Sequence, residues 1–271
     1  MASCTAPSRA GRLSHMTAPT RIELPYRVRF DECGADGLAR ASAHLRWAQD
    51  VAWVHSAEAG FDRAWYAARG LAWLVRCLRL DLVAPLRSGQ AVSVSTEVVG
   101  WRRVWARRVS ETRTGAEDGP DPSQLIATVT TDWVLLGPNG APARVPDEIL
   151  DAFAVRLPSF EPGRLSPLHP SAQAAITAAS LTVRRQELDP MGHVNHAVYL
   201  DWLEESVAAA GGGDDLTRLP RRYRLEYDRS AEPGARLGSA TWRCGPAAWA
   251  YRLTDAAGLE LLRGRLEAGR G

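Results

Sequence analysis

The chain has 271 residues, 45% hydrophobic and 24% charged, the composition of a globular protein with room for two ordinary domains. All 33 basic residues are arginine, which excludes a Schiff-base lysine and the lysine of a P-loop, and a net charge of +2 does not point to nucleic acid. No apolar run approaches the ~18 residues of a membrane span. Cys4, Cys33, Cys77 and Cys244 lack metal-ligand spacing and read as reduced thiols of a cytoplasmic-type protein.

Residues 1–20 carry Arg9, Arg12 and several Ser and Thr without an acid, and read as a disordered leader, with organellar targeting or a start at Met16 as alternatives. A strand is predicted over 21–30, a Gly-containing loop over 31–40 and a helix over 41–59 that stops at Gly60. Strands follow at 71–83, 90–99, 101–112 and 125–136, then a Pro138-Asn139-Gly140 turn and a short helix opened by Val145-Pro146-Asp147. Pro158, Pro162, Pro167 and Pro170 mark a linker, taken as 157–177. Beyond it the order recurs: strand 180–186, loop 187–194, helix 196–210, glycines at 211–213, and strands near 221–228, 236–244, 248–254 and 259–266.

The recurrence extends to residues. Val28, Arg29, Glu32, Gly37, Leu45 and Trp47 match Val183, Arg184, Glu187, Gly192, Leu200 and Trp202, each 155 positions later. Further on, Arg76 to Asp81 match Arg221 to Glu226 at an offset of 145, as a loop deletion between shared elements requires. The polar residues do not repeat: Asp189 falls on Gly34, His193 on Leu38 and Asn195 on Arg40. Two like domains, 21–156 and 178–271, with one site in the second are therefore expected. The fold class is α+β, each domain an antiparallel sheet wrapped around a central helix.

Asp189 lies in a short loop four residues before His193 and six before Asn195, directly ahead of a helix. A carboxylate there can serve as general base toward water or as nucleophile toward an acyl carbonyl. The backbone N–H groups of Asn195, His196 and Ala197 are expected as free donors for an oxyanion. Gly192 lets the backbone turn tightly or approach a ligand. Asp189-Pro190 is also an ordinary turn opener, His193 could be a core histidine, and Asn195 a helix cap. His193 and His196 sit at a spacing that could hold zinc, but no third ligand is evident. Tyr199 and Trp202 read first as core, with the substrate path beside them as the alternative.

The pattern Asp-x-x-Gly-His-Val-Asn-x-x-x-Tyr-x-x-Trp followed by Glu resembles the hot-dog-fold thioesterases, and the doubled arrangement most resembles the acyl-ACP thioesterase family of plants and bacteria. The likeness runs over about 21–268, with Gly60-Phe61 and Leu225-Glu226-Tyr227 among the matching segments. It implies two tandem hot-dog domains and cofactor-free hydrolysis of fatty acyl thioesters on acyl carrier protein or coenzyme A. The second domain would hold the catalytic Asp189, His193 and Asn195, with Gly192, His196, Tyr199 and Trp202 toward substrate. The first would shape the acyl pocket. A pseudo-dimer within one chain is implied, with further homodimer pairing left open. Two positions depart from the plant pattern: Met191 stands where an asparagine is usual, and Ser230, near Glu232, where a carboxylate is usual.

Several features have a plainer reading. Glu204 and Glu205 read as a solvated helix face, or one reaches the site across the helix. Arg102-Arg103, Arg107-Arg108 and Arg221-Arg222 could steer an acidic carrier or simply be solvated. Cys33 reads as inert, and the ten Trp mostly as packing. The absence of Gly-x-Ser-x-Gly excludes a serine α/β-hydrolase. The competing function is a non-catalytic acyl-thioester binding or sensing protein on the same scaffold, favoured by Met191 and Ser230. A hot-dog dehydratase or hydratase ranks third.

Overall fold

A computed structural model describes residues 19–115, 123–153, 155 and 159–269. Cys4, the predicted leader up to residue 18 and the start of the predicted linker lie outside them. The first half contains β1 (Arg21–Arg27), α1 (Ala41–Glu58), α2 (Arg63–Ala68), β2 (Ala72–Leu82), β3 (Ala91–Arg102), β4 (Trp105–Thr114), β5 (Leu125–Leu136) and α3 (Asp147–Ala152). The second contains β6 (Ile176–Thr182), α4 (His196–Ala209), α5 (Gly213–Thr217), β7 (Arg221–Tyr227), β8 (Arg236–Gly245), β9 (Ala248–Thr254) and β10 (Glu260–Ala268).

All the strands form one 10-stranded antiparallel sheet in the order β1-β3-β4-β5-β2-β7-β10-β9-β8-β6. Outward from the β2–β7 seam, both halves give the same order. At the seam Arg79 faces Arg224, Leu78 faces Leu225 and Leu80 faces Tyr223. Arg79 and Arg224 are the residues related by the 145-residue repeat, so the repeat and the seam share one centre. Like charges directly opposite would repel. Each is instead drawn to an acid, Arg79 to Asp81 at 2.6 Å and Arg224 to Glu267 at 2.5 Å.

α1 and α4 lie side by side on one face of the sheet, joined by Arg46 Nη2 and Asp201 Oδ2 at 2.7 Å, residues 155 apart in sequence. Leu45, Val51, Leu80, Leu200, Leu203, Leu225 and Leu262 are fully buried between helices and sheet. Each contributes roughly 1.5–3 kcal/mol by leaving water. Each long helix wrapped by its own five strands is the hot-dog unit, and there are two. A second, aromatic core occurs in the first half, around Phe61, Tyr66, Val98, Ile149 and Phe153.

Several element boundaries differ from the sequence reading. The strand expected over 180–186 is β6, Ile176–Thr182, because Arg185–Glu187 forms a 3-10 turn instead. The strand expected from 101 begins at Trp105, since the first residues finish β3 and Arg103, at φ 54°, turns the hairpin. α2 was not anticipated, although Asp62 caps it by accepting from the Trp65 N–H at 2.8 Å.

The proline-rich segment is not a slack tether. It crosses the sheet face opposite the long helices, burying Phe160 and Leu165. Asp132 Oδ2 accepts from Gly163 N–H at 2.7 Å and Glu226 from Leu165 N–H at 2.8 Å. Arg107 donates to the Glu161 carbonyl and Arg263 to that of Leu165, both at 2.9 Å.

The loop before each long helix is built twice on one plan. Glu32 accepts from Arg29 N–H and from Trp47 Nε1, at 2.8 and 2.9 Å. Glu187 accepts from Arg184 N–H and from Trp202 Nε1, at 2.6 and 3.3 Å. Hydrogen bonds to a charged acceptor are each worth about 1.5–3 kcal/mol when one partner is removed. Glu32→Ala and Glu187→Ala are therefore each expected to lower unfolding free energy by ~2 kcal/mol in urea titrations. A loss confined to one of the two variants would contradict the shared plan.

Candidate active site

The loop over 187–195 is closed by Asp189 N–H donating to the His193 carbonyl at 2.7 Å and Gly192 N–H to the Asp189 carbonyl at 2.9 Å. Gly192, at φ 80°, supplies the left-handed residue the turn needs. Gly34 and Leu38 close the first-half loop in the same way at 2.9 Å, with Gly37 at φ 73°. The difference lies in the acid. Asp189 Oδ1 accepts from Met191 N–H at 2.8 Å and His193 N–H at 3.3 Å. Oδ2 has no protein partner among the described residues. In the first half Asp36, two positions later in the frame, supports the turn through Leu38 N–H at 3.0 Å, and Gly34 occupies the place of Asp189.

Asn195 caps α4: its Oδ1 accepts from Ala197 N–H at 2.9 Å. Its Nδ2 donates to Gln49 Oε1 at 3.1 Å, which ties the second-half loop to α1 of the first half. Gln49 carried no sequence signal. It stands beside Asp189, with its own amide N–H groups free of protein partners among the described residues.

The expected set of free backbone donors shrinks. Asn195 N–H donates to the Glu187 carbonyl at 2.9 Å and Ala197 N–H is taken by the Asn195 cap. His196 N–H remains, at the N-terminus of a 14-residue helix.

Asp189, His193, His196 and Tyr199 border a groove of about 600 Å³ that also meets Gln49, Trp53, Trp73 and Trp133 of the first half. A second hollow, about 630 Å³, opens on the other side of Asp189, between Asn195, Arg63 and Tyr66. The wall shared by the two carries Asp189, the charged residue common to both hollows. Ser230 also borders the groove. Met191 is exposed and reaches both hollows.

The other sequence candidates fall variously. His196 packs edge-on to Trp133 and Tyr227, and its carbonyl accepts from the Tyr227 hydroxyl at 2.9 Å. Burial, then Arg46, lowers its pKa to about 4, so the ring is neutral at pH 7. Tyr199 is buried, its hydroxyl accepting from Ala231 N–H at 3.0 Å. Trp202, placed near substrate by the resemblance, does not border the groove. Its indole anchors Glu187 instead.

Glu204 is not a solvated residue. It lies half-buried, accepts from the Tyr223 hydroxyl and sits near Arg221, away from the groove. Burial raises its pKa. Glu205 and Glu232 are exposed. Cys33, Cys77 and Cys244 are free thiols. Among the described residues no three His, Cys, Asp or Glu side chains gather as metal ligands.

The N-terminal-domain and C-terminal-domain models of acyl-ACP thioesterases match residues 20–153 and 171–252. The chain belongs to the acyl-ACP thioesterase family. A chloroplastic acyl-(acyl-carrier-protein) hydrolase of Cuphea viscosissima is 25% identical over 224 residues, 76% of this chain and 52% of that protein. The chain thus spans about half the length of the curated relatives it matches. Among solved structures, an acyl-ACP thioesterase from Bacteroides thetaiotaomicron superposes with a TM-score of 0.76 at 16% identity, covering 92% of this chain and 98% of that one. The 12:0-ACP thioesterase of Umbellularia californica gives 0.75 at 23% identity, covering 92% and 97%. These two likenesses support the fold, two hot-dog units in tandem. No helix among the described residues is long and apolar enough to cross a membrane.

The buried imidazoles set an acid limit. His44, His55 and His196 have folded pKa values of about 3, 4 and 4, below the ordinary 6.5, each because burial opposes the charged form. The unfolded chain binds the extra protons first, so their stabilising effect is complete above pH 6.5 and is lost as pH falls toward 4. Melting temperature should fall through this window, with a shallower slope in His196→Asn. A flat profile would show that these rings are hydrated.

Proposed function

We propose that this chain hydrolyses acyl thioesters, releasing a free acid and the carrier thiol, with Asp189 as the reacting carboxylate. One observation carries the reading: a loop carboxylate with one oxygen tied by backbone N–H groups and the other free, at the wall of apolar hollows formed by both halves. Asp189 Oδ2 draws a proton from water attacking the carbonyl, or attacks it directly to give an anhydride that water then opens. Either route consumes one water and yields acid plus thiol. The oxyanion would meet the His196 N–H and the Gln49 amide, donors from opposite halves. His193 and Asn195 order the loop and the helix start, and Gly192 permits its turn. His196 and Tyr199 wall the acyl path.

The carrier in this reading is acyl carrier protein, consistent with the family and with the names of the relatives, and coenzyme A is the alternative. Arg63 and Arg229, exposed where the two hollows open, suit the phosphate that both carriers bear. The two fused units act as a pseudo-dimer within one chain, so a monomer suffices for one site. The domain limits 21–156 and 178–271 belong to the same proposal. Free cysteines support a reducing, cytoplasmic compartment.

Thiol release should be measured on acyl-ACP and acyl-CoA panels. Asp189→Asn should abolish turnover while preserving the fold. Gln49→Leu should lower kcat by about 10²-fold, the typical loss of one oxyanion donor. Acyl-thioester binding without turnover in the unmodified protein would replace the hydrolase by a binding module.

A further inference from the structure

Beyond the groove, a tight chamber of about 60 Å³ lies within the first half. Gln49, Trp53 and Trp73 border it and also border both hollows beside Asp189, so one wall is common to all three spaces. The chamber holds a few non-hydrogen atoms, not a long alkyl tail. Six aromatic side chains and the aliphatic Ala52, Val98, Ala106 and Ile149 make most of its wall, and Arg108 on β4 is the one charged residue lining it.

Arg108 has no carboxylate partner among the described residues. Its Nη1 donates to His55 Nδ1 at 2.8 Å and lies 3.5 Å from Thr96 Oγ1, the outer limit of a hydrogen bond. Its guanidinium carbon is 6.0 Å from the centre of the Phe153 ring. Nη2 and Nε have no protein partner there. His55 does not neutralise the charge: its Nε2 donates to the Pro19 carbonyl at 2.7 Å, so Nδ1 is the acceptor and the ring is uncharged. The neighbouring Arg107 shows the contrast. On the opposite face of the strand it grips Asp132 with two bonds of 2.6 and 2.8 Å.

Two more donors belong to rings that line the same space. Trp101 Nε1 and Trp133 Nε1 are buried without a hydrogen-bond partner, and both rings line the chamber. Of the other polar groups, Trp73 Nε1 donates to the Tyr66 hydroxyl at 3.1 Å and Ser56 to the Phe61 carbonyl at 2.8 Å, while the Gln49 amide also borders the hollows beside Asp189. Apart from the Gln49 amide, what is left over is a cation and two N–H donors without a carboxylate or other full acceptor among the described residues. Burial lowers the Arg108 pKa only to about 10, so the charge persists at neutral pH. A buried charge or donor without a partner is costly, and a methyl terminus would leave all three in that state.

We propose that the acyl group taken by this chain ends in a carboxylate at the end distant from the thioester, an ω-carboxyacyl thioester, with Arg108, Trp101 and Trp133 receiving that carboxylate. The proposal deepens the hydrolase reading and rests on it for the reaction, but not for the binding. Arg108 gives charge and planar donors, the two indoles fix the orientation, and Trp53 and Trp73 enclose the methylenes between the two ends.

The test is product binding by calorimetry at pH 7.5, comparing length-matched pairs from hexanoate and hexanedioate to dodecanoate and dodecanedioate, followed by turnover of the corresponding thioesters. At the best-fitting length the dioate should bind at least about tenfold tighter, the usual effect of pairing a buried charge. Arg108→Met should remove that preference. Should Arg108→Met not fold, Trp101→Phe with Trp133→Phe keeps the rings and removes two donors, and should narrow the ratio several-fold. Equal or tighter monoacid binding at every length, or an unchanged ratio in these variants, overturns the proposal. Asp189-dependent turnover of plain acyl thioesters alone would keep the hydrolase and discard the carboxylate receptor. Dioate-selective binding with no turnover would keep the receptor and discard the hydrolase.

Discussion

The pairing of β2 with β7 is the contact on which the other arrangements depend. Each half on its own would leave that strand edge with unpaired N–H and C=O groups, an open template for association. Placing the two edges together with Arg79 opposite Arg224 satisfies both and relates the halves by an approximate two-fold. The same operation lays α1 beside α4, which brings Gln49 within reach of Asn195. The groove is therefore a product of the seam: neither half contains all its walls.

Within that near-symmetric frame the chemistry is one-sided. The loop scaffold is kept twice, glutamate, indole and positive-φ glycine alike, yet only the second copy places a carboxylate beside the cavity. The aromatic core around Phe61, Tyr66 and Phe153 exists only in the first half. The loop carboxylate Asp189 thus lies in one half and the aromatic chamber in the other, an asymmetry that two identical subunits could not adopt without duplicating both features.

Much of this frame was legible in the chain. The offsets of 155 and 145 identify the repeated loop and helix and, in the structure, the Arg46–Asp201 contact and the centre of the seam. Asn195 as a helix cap followed from its place before an apolar helical run. Other features depend on long-range packing and have no local pattern. Gln49 is one polar residue in a helix, and Arg108 one arginine in a strand of a chain whose basic residues are all arginine. The number of free backbone donors was overestimated because the Glu187 carbonyl and the Asn195 side chain compete for them. Trp202 read first as core, and its indole in fact holds Glu187, a partner fifteen residues away that no local spacing marks. The β6 boundary slipped because the alternation of Leu181 and Val183 stops at three successive polar residues, Arg184-Arg185-Gln186, where the 3-10 turn begins.

The strap across the outer face has a kinetic meaning. A covalent connection pinned to Asp132 of one half and Glu226 of the other holds the two seam strands at a high effective concentration, so parting them is an intramolecular event independent of how dilute the protein is. A duplicated fold joined in this way tolerates unlike partners at its seam, because reunion does not require mutual recognition from bulk solution. That relaxed demand leaves each copy free to diverge in sequence while the joint between them endures.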